Sequence, residues 1–226
     1  MRQIAALFYA CFAFGVEASN AAAGDSAGEM HELQARADTG DTTAIYNLGV
    51  AFSNGDGVHR DVAQSEKWFR KGSELGDPWC QEALGELYDQ GDGLKPNASE
   101  ALKWYHKAAD QGNTTALYNL GRMYRKGRGV EADNDAAAYW FRKGAELGYV
   151  PAEVDLGYMY ASGIGVAIDE VEGLAWIYIA AASGDKIALK YQKIVEARLG
   201  RDWSLVAQQR STVLSKAIEA KKESGQ

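Results

Sequence analysis

The stretch Ala116-Leu117-Tyr118-Asn119-Leu120-Gly121-Arg122-Met123-Tyr124, followed by Gly127-Arg128-Gly129-Val130 and by Ala137-Ala138-Tyr139-Trp140-Phe141-Arg142-Lys143-Gly144, decides the fold, because its landmarks recur at one fixed step. Leu-Gly pairs fall at Leu48-Gly49, Leu84-Gly85, Leu120-Gly121 and Leu156-Gly157, each 36 residues after the last. Trp68, Trp104, Trp140 and Trp176 follow the same step. Between them lie Gly55/Gly57, Gly91/Gly93, Gly127/Gly129 and Gly163/Gly165, and Gly40, Gly76, Gly112, Gly148 and Gly184 keep the same phase. Columns in register without an insertion mark a repeat array, and the period governs every later reading. Glycine makes up 25 of 226 residues with no low-complexity run, and these columns hold most of it.

Each unit reads as two helices. The first runs from a cap at Asp41, Asp77, Asn113 or Asp185 to about Asn54, Gln90, Lys126 and Ser162, and Tyr149 breaks the cap pattern. Pro78 stands at a first helical position, where its missing N–H costs nothing. At about 100° per residue, Ala44, Leu48, Ala51 and Phe52 share one face, as do Cys80, Leu84, Leu87 and Tyr88, which makes this the buried stripe. Gly49 and its repeats sit inside that helix, where glycine costs about 1 kcal/mol against alanine, so a neighbouring helix is expected to cross close by. The second helix starts at Asp61, Asn97, Asp133 or Asp169, side chains that can accept from the orphan N–H groups of a first turn. It carries the large pairs Trp68-Phe69, Trp104-Tyr105, Trp140-Phe141 and Trp176-Ile177, which need an adjacent layer to bury them. Glycine at 76 and its equivalents then ends it in a left-handed turn.

Outside the array, residues 1–23 carry Arg2, an apolar run from Ile4 to Val16 and the small residues Ala18 to Ala23, the order of a secretory signal peptide. The run is too short for a bilayer-spanning helix of about 20 residues. We therefore expect cleavage after Ala21 or Ala23, a capping helix within 24–40, four repeats over 41–184, and a degenerate fifth repeat with a C-terminal capping helix over 185–226. Cys11 would leave with the signal, and Cys80 alone permits no internal disulfide framework. The net charge of −7 lacks the basic footprint of a nucleic-acid binder.

The quoted motifs resemble a Sel1-like repeat, a relative of the tetratricopeptide repeat with a longer loop carrying Gly-x-Gly. The resemblance covers Asp41 to about Leu189. It implies an all-α protein, an α/α solenoid wound as a right-handed superhelix of 36-residue helix–turn–helix repeats. It also implies an adaptor or scaffold; many bacterial members are exported and regulate envelope or secretion complexes. One exported branch with β-lactam-hydrolysing activity carries a disulfide in each repeat, and this chain lacks those cysteines.

No catalytic constellation is legible. His31, His59 and His106 fall in different repeat contexts without partners at metal-ligand spacing. The Gly-x-Gly loops lack the Lys-Ser/Thr of a phosphate loop, and Asp56 and Asp92 in two of them are matched by Arg128 and Ile164 in the others, so turn chemistry explains them. Cys80 stands in the column of Ala44, Ala116 and Ala152 and reads as a small apolar filler. We expect no cofactor and no metal.

What remains is the face about 180–240° round the first helices from Ala44. Its columns vary where the buried ones repeat, and solenoids use such inner surfaces as platforms. Tyr46, Glu82, Glu86, Asp89, Tyr118, Arg122, Arg125 and Tyr158 are the candidate partner-binding residues, facing a protein or peptide. A purely structural alternative pairs Glu86 with Arg122 and Asp89 with Arg125 across one repeat. The reading is thus an exported, non-enzymatic scaffold, periplasmic or secreted in a bacterial envelope, with no integral membrane segment after cleavage. The alternative is a cell-wall or β-lactam-directed enzyme of the exported repeat type.

Overall fold

A computed structural model describes residues 26–91 and 93–224. The segment assigned to export, and Asp92, lie outside the described residues. Helix α1 (Ser26–Asp38) precedes four hairpins: α2 (Thr42–Asn54) with α3 (Val62–Glu74), α4 (Pro78–Gln90) with α5 (Ala98–Asp110), α6 (Thr114–Lys126) with α7 (Asn134–Glu146), and α8 (Val150–Ser162) with α9 (Glu170–Ala182). Helices α10 (Lys186–Leu199) and α11 (Arg201–Ser224) follow. All eight hairpin helices are 13 residues long, which lets one unit stack on the next in constant register. The described residues contain no strand.

The caps form as the sequence expects. Asp41, Asp77 and Asn113 accept from the N–H of Ala44, Cys80 and Ala116, and Asp61, Asn97 and Asp133 accept from Gln64, Glu100 and Ala136. Each such cap is worth about 1 kcal/mol. Tyr149 makes no side-chain cap, so α8 begins without one.

Packing follows the repeat columns. Leu48, Leu84, Leu120 and Leu156 are wholly buried. The mid-helix glycines have a steric cause: a methyl on Gly49 would lie 2.4 Å from the Phe69 ring, and one on Gly121 would lie 2.5 Å from that of Phe141. In the fourth unit a Cβ on Gly157 would lie 2.8 Å from both the Ile177 side chain, in the same column, and the Gly173 carbonyl oxygen, so there the two helices also meet backbone to backbone. The ring or backbone seated on each glycine offsets its helix-interior cost. The tryptophan column is less uniform than its spacing suggests. Trp104 and Trp176 are buried, whereas Trp68 and Trp140 are half-buried, the latter with His106 set edge-on at 5.2 Å.

Of the successive first helices, α2 with α4 and α8 with α10 approach one another directly, α6 reaches α8 through Arg125 and Asp155, and within the four hairpins no two successive second helices pack as closely. The first helices therefore form the inner wall. Helix α11 packs mainly on α9, anchored by Arg210 donating to both Glu172 oxygens (2.7 and 3.2 Å) and by the Lys221–Glu146 ion pair at 2.6 Å. No helix among the described residues is long and apolar enough to cross a membrane.

Candidate partner-binding groove

The inner wall carries the predicted residues, and each makes contacts that its column alone does not reveal. Tyr46 and Tyr118 lean against the second-helix rings of their own units, Phe69 at 5.8 Å and Phe141 at 5.5 Å, both tilted by 44°. Tyr118 also meets Tyr149 at 5.6 Å, and burial followed by the Asp155 charge pushes its phenol up to about 12. Tyr158 is exposed and lies 5.7 Å from Tyr191. Arg122 lies over the Tyr118 ring at 5.7 Å.

The expected structural pairings are not the ones that form. Arg125 reaches forward to Asp155 at 2.8 Å instead of back to Asp89. Asp89 is held from the Gly-x-Gly loop by Arg128, which sits 2.9 Å from its carboxylate and donates to its backbone carbonyl at 2.7 Å. Arg122 and Glu86 form no ion pair; Arg122 acts on that carboxyl only as a nearby charge. The physical reason is the offset between adjacent helices. A long side chain meets residues about 30 or 39 positions away rather than its own column at 36.

Glu82 occupies the column of Tyr46 and Tyr118 but is 7% exposed, and no hydrogen bond or ion pair reaches its carboxyl. Burial first, and the Glu86 charge second, push it up to about 8. Burial likewise raises Glu86, with Asp89 adding to the rise while the Gln90 amide and Arg122 oppose it. Tyr105 is 1% exposed, and burial, then the Glu82 charge, hold its phenol well above the ordinary range.

Three groove residues escaped the sequence reading. Trp79 stands two turns before Glu86 on the same face of α4 and is 53% exposed. Tyr149 turns its ring to Tyr118 instead of capping α8, and its exceptional place in the cap column was the available signal. Tyr191, on α10, had no such signal. Elsewhere, Cys80 is free and buried, and burial pushes its thiol up, which fits a packing role. Burial lowers His106, against the opposing charge of Asp110.

The Sel1 repeat family model matches residues 42–77, 80–113, 114–149 and 150–185, more than half of the chain. The chain belongs to the Sel1 repeat family. It is similar to a protective antigen of uropathogenic Escherichia coli strains that displays the Sel1-like repeat fold. There the identity is 31% and the TM-score 0.75, over 89% of this chain and 45% of that one. It is also similar to a Sel1 repeat protein from Oxalobacter formigenes, at 32% identity and TM-score 0.70, over 76% of this chain and 50% of that one. The chain thus spans about half the length of these two relatives. An immunity protein of Pseudomonas aeruginosa, at 20% identity and TM-score 0.52 over 86% of this chain and 74% of that one, shares the fold alone. Among curated proteins none matches. Sel1 repeat proteins are generally protein-interaction scaffolds.

Proposed function

We propose that this chain is an exported, non-enzymatic scaffold that binds a protein or peptide through its inner groove, at an envelope or secretion complex. The observation that carries this reading is the contrast between columns. The leucines beneath the groove are identical and buried, while the wall above them changes from unit to unit and presents Trp79, Arg122 and Tyr158 to an incoming chain. Exposed aromatics beside a cation free of ion pairs are the side chains that anchor protein interfaces.

The test is capture from envelope extract by the full chain and by its Arg122→Ala/Tyr158→Ala variant. Truncating an interface anchor costs about 2 kcal/mol or more, roughly thirtyfold in affinity, whereas surface substitutions move stability by about 0.5 kcal/mol or less. Lost capture with an unchanged melting midpoint supports the groove. Unchanged capture sinks it. Export is tested separately by N-terminal sequencing from fractionated cells, where a start near Ala22 or Gly24 supports it and an intact Met1 in the cytosol refutes it.

A further inference from the structure

The second unit departs from its neighbours at one pair of positions. In units one and three, a first-helix tyrosine packs on a second-helix phenylalanine, Tyr46 on Phe69 and Tyr118 on Phe141. In unit two the same positions hold Glu82 and Tyr105, a carboxyl and a phenol where the repeat otherwise keeps two rings. Both side chains are more than nine-tenths buried, and neither carboxyl nor hydroxyl has a hydrogen-bond partner among the described residues. A buried polar group left without a partner is costly, so an otherwise apolar pair is a stable solution that this unit forgoes.

The two groups converge. Glu82 and Glu86 stand one turn apart on α4, and the Tyr105 ring seats on Gly85 between them, 2.8 Å from where a Cβ there would lie. Both glutamate charges act on the Tyr105 phenol, and Arg122 on α6 and Tyr149 at the start of α8 are close enough to interact with them electrostatically. Arg122 is held over Tyr118 and forms no ion pair with either glutamate, so the groove's own cation leaves the Glu82 carboxyl open, while Glu86 accepts from the Gln90 amide at 2.5 Å. Trp79, on the same face of α4, adds an exposed ring beside them.

We propose that Glu82, Glu86 and Tyr105 form a pocket for a cationic side chain, lysine or arginine, of the segment bound in the groove. The assignment rests on the groove being the binding surface. An ammonium or guanidinium group supplies the donors that the Glu82 carboxyl and the Tyr105 oxygen lack, Glu86 adds a second negative charge, and Trp79 lines the aliphatic stem. Without a ligand, Glu82 avoids a naked buried charge by keeping its proton, as its pKa near 8 indicates. Entry of the cation releases that proton to solvent, so binding strengthens as the pH rises toward 8.

The experiment titrates the full chain with a capped Gly-Ser-Lys-Ser-Gly peptide and with its arginine and norleucine counterparts, following the Glu82 carboxyl and Tyr105 ring resonances. Saturable shifts with the two cationic peptides and none with norleucine are expected. Glu82→Gln should weaken lysine-peptide binding about tenfold or more. The double variant Glu82→Tyr/Tyr105→Phe restores the ring pair of units one and three. It should fold with a raised melting midpoint and no longer take the peptide, a gain in stability at the expense of function. Equal shifts with norleucine, or full binding by the double variant, would overturn the pocket. Partner capture that depends on Arg122 and Tyr158 but not on the double variant would overturn the pocket while leaving the groove reading intact.

Discussion

Leu189 stands two repeat steps after Leu117, in the same column of the first helix, yet Leu117 is 2% exposed and Leu189 is 41% exposed. In the hairpins this column lies beneath the second helix of its own unit, and Ile45 there is wholly buried. At α10 that cover is missing, because α11 lies along α9 instead of pairing with α10. An open cleft of about 460 Å³, lined by Tyr178, Glu196 and Leu205 among others, separates its start from α9 and α10. Leu117→Ala should therefore cost about 2–5 kcal/mol, as for a truncated core leucine, and Leu189→Ala no more than about 1 kcal/mol. Urea melts of both variants check this, and equal losses would show that the α10 face is covered in solution.

Two buried carboxyls set a pH dependence. Glu82 is pushed up to about 8 by burial and then by Glu86, and Glu153 to about 7 by burial, with Lys222 opposing. Both start from an ordinary value of 4.5, so above it the folded chain holds protons that the unfolded chain has lost. Stability from these groups is fully present below about pH 4.5 and is lost as the pH rises to 7 and 8, by about 1 kcal/mol per pH unit for each group within its window. Melts across this range should show the decline, and Glu82→Gln/Glu153→Gln should flatten it. A double variant with the wild-type slope would place the titration elsewhere.

The repeat makes most of the fold legible in the sequence. Leu48 to Leu156, the two glycine columns and the caps are local patterns that recur, so the bounds of α2 through α9 followed from them. The groove was legible only as a set of columns. That Glu82 is buried while Tyr158 is exposed depends on what the neighbouring helices present, and a column carries no such information. The Asp89–Arg125 pairing failed for the same reason, since axial offset between units sends Arg125 to Asp155. The position of α11 rests on contacts such as Arg210 with Glu172, 38 residues apart on a mostly polar helix, and no periodic signal marks them.

The unequal burial of the tryptophans predicts unequal costs. Trp176, 4% exposed and packed in one cluster with Ile218, should cost about 3–5 kcal/mol when truncated to alanine. Trp140, half-buried beside His106 and Tyr139, should cost clearly less. Thermal melts followed by circular dichroism compare them, and a larger loss at Trp140 would show that the outer edge of the third unit is part of the core.

Gly165 and Gly184 separate backbone strain from steric interlock. Both have positive φ, +64° and +82°, where a side chain costs about 1–2 kcal/mol. Around Gly184 nothing lies within 4 Å of an added Cβ, so Gly184→Ala should show that strain alone. At Gly165 the Cβ would stand 2.1 Å from the Asn134 carbonyl oxygen and 2.4 Å from its carbon. Backbone cannot rotate aside, so the loop of the fourth unit must lift from the start of α7, adding about 1–3 kcal/mol of overpacking. Because a repeat array is coupled only through nearest neighbours, damage at this interface should uncouple α8–α11 from the units before it. Gly165→Ala is thus expected to lose helicity in two steps, one for α8–α11 and one for α1–α7, while Gly184→Ala melts in one. A single transition for both variants with equal midpoints would mean that the loop contact contributes nothing to the coupling.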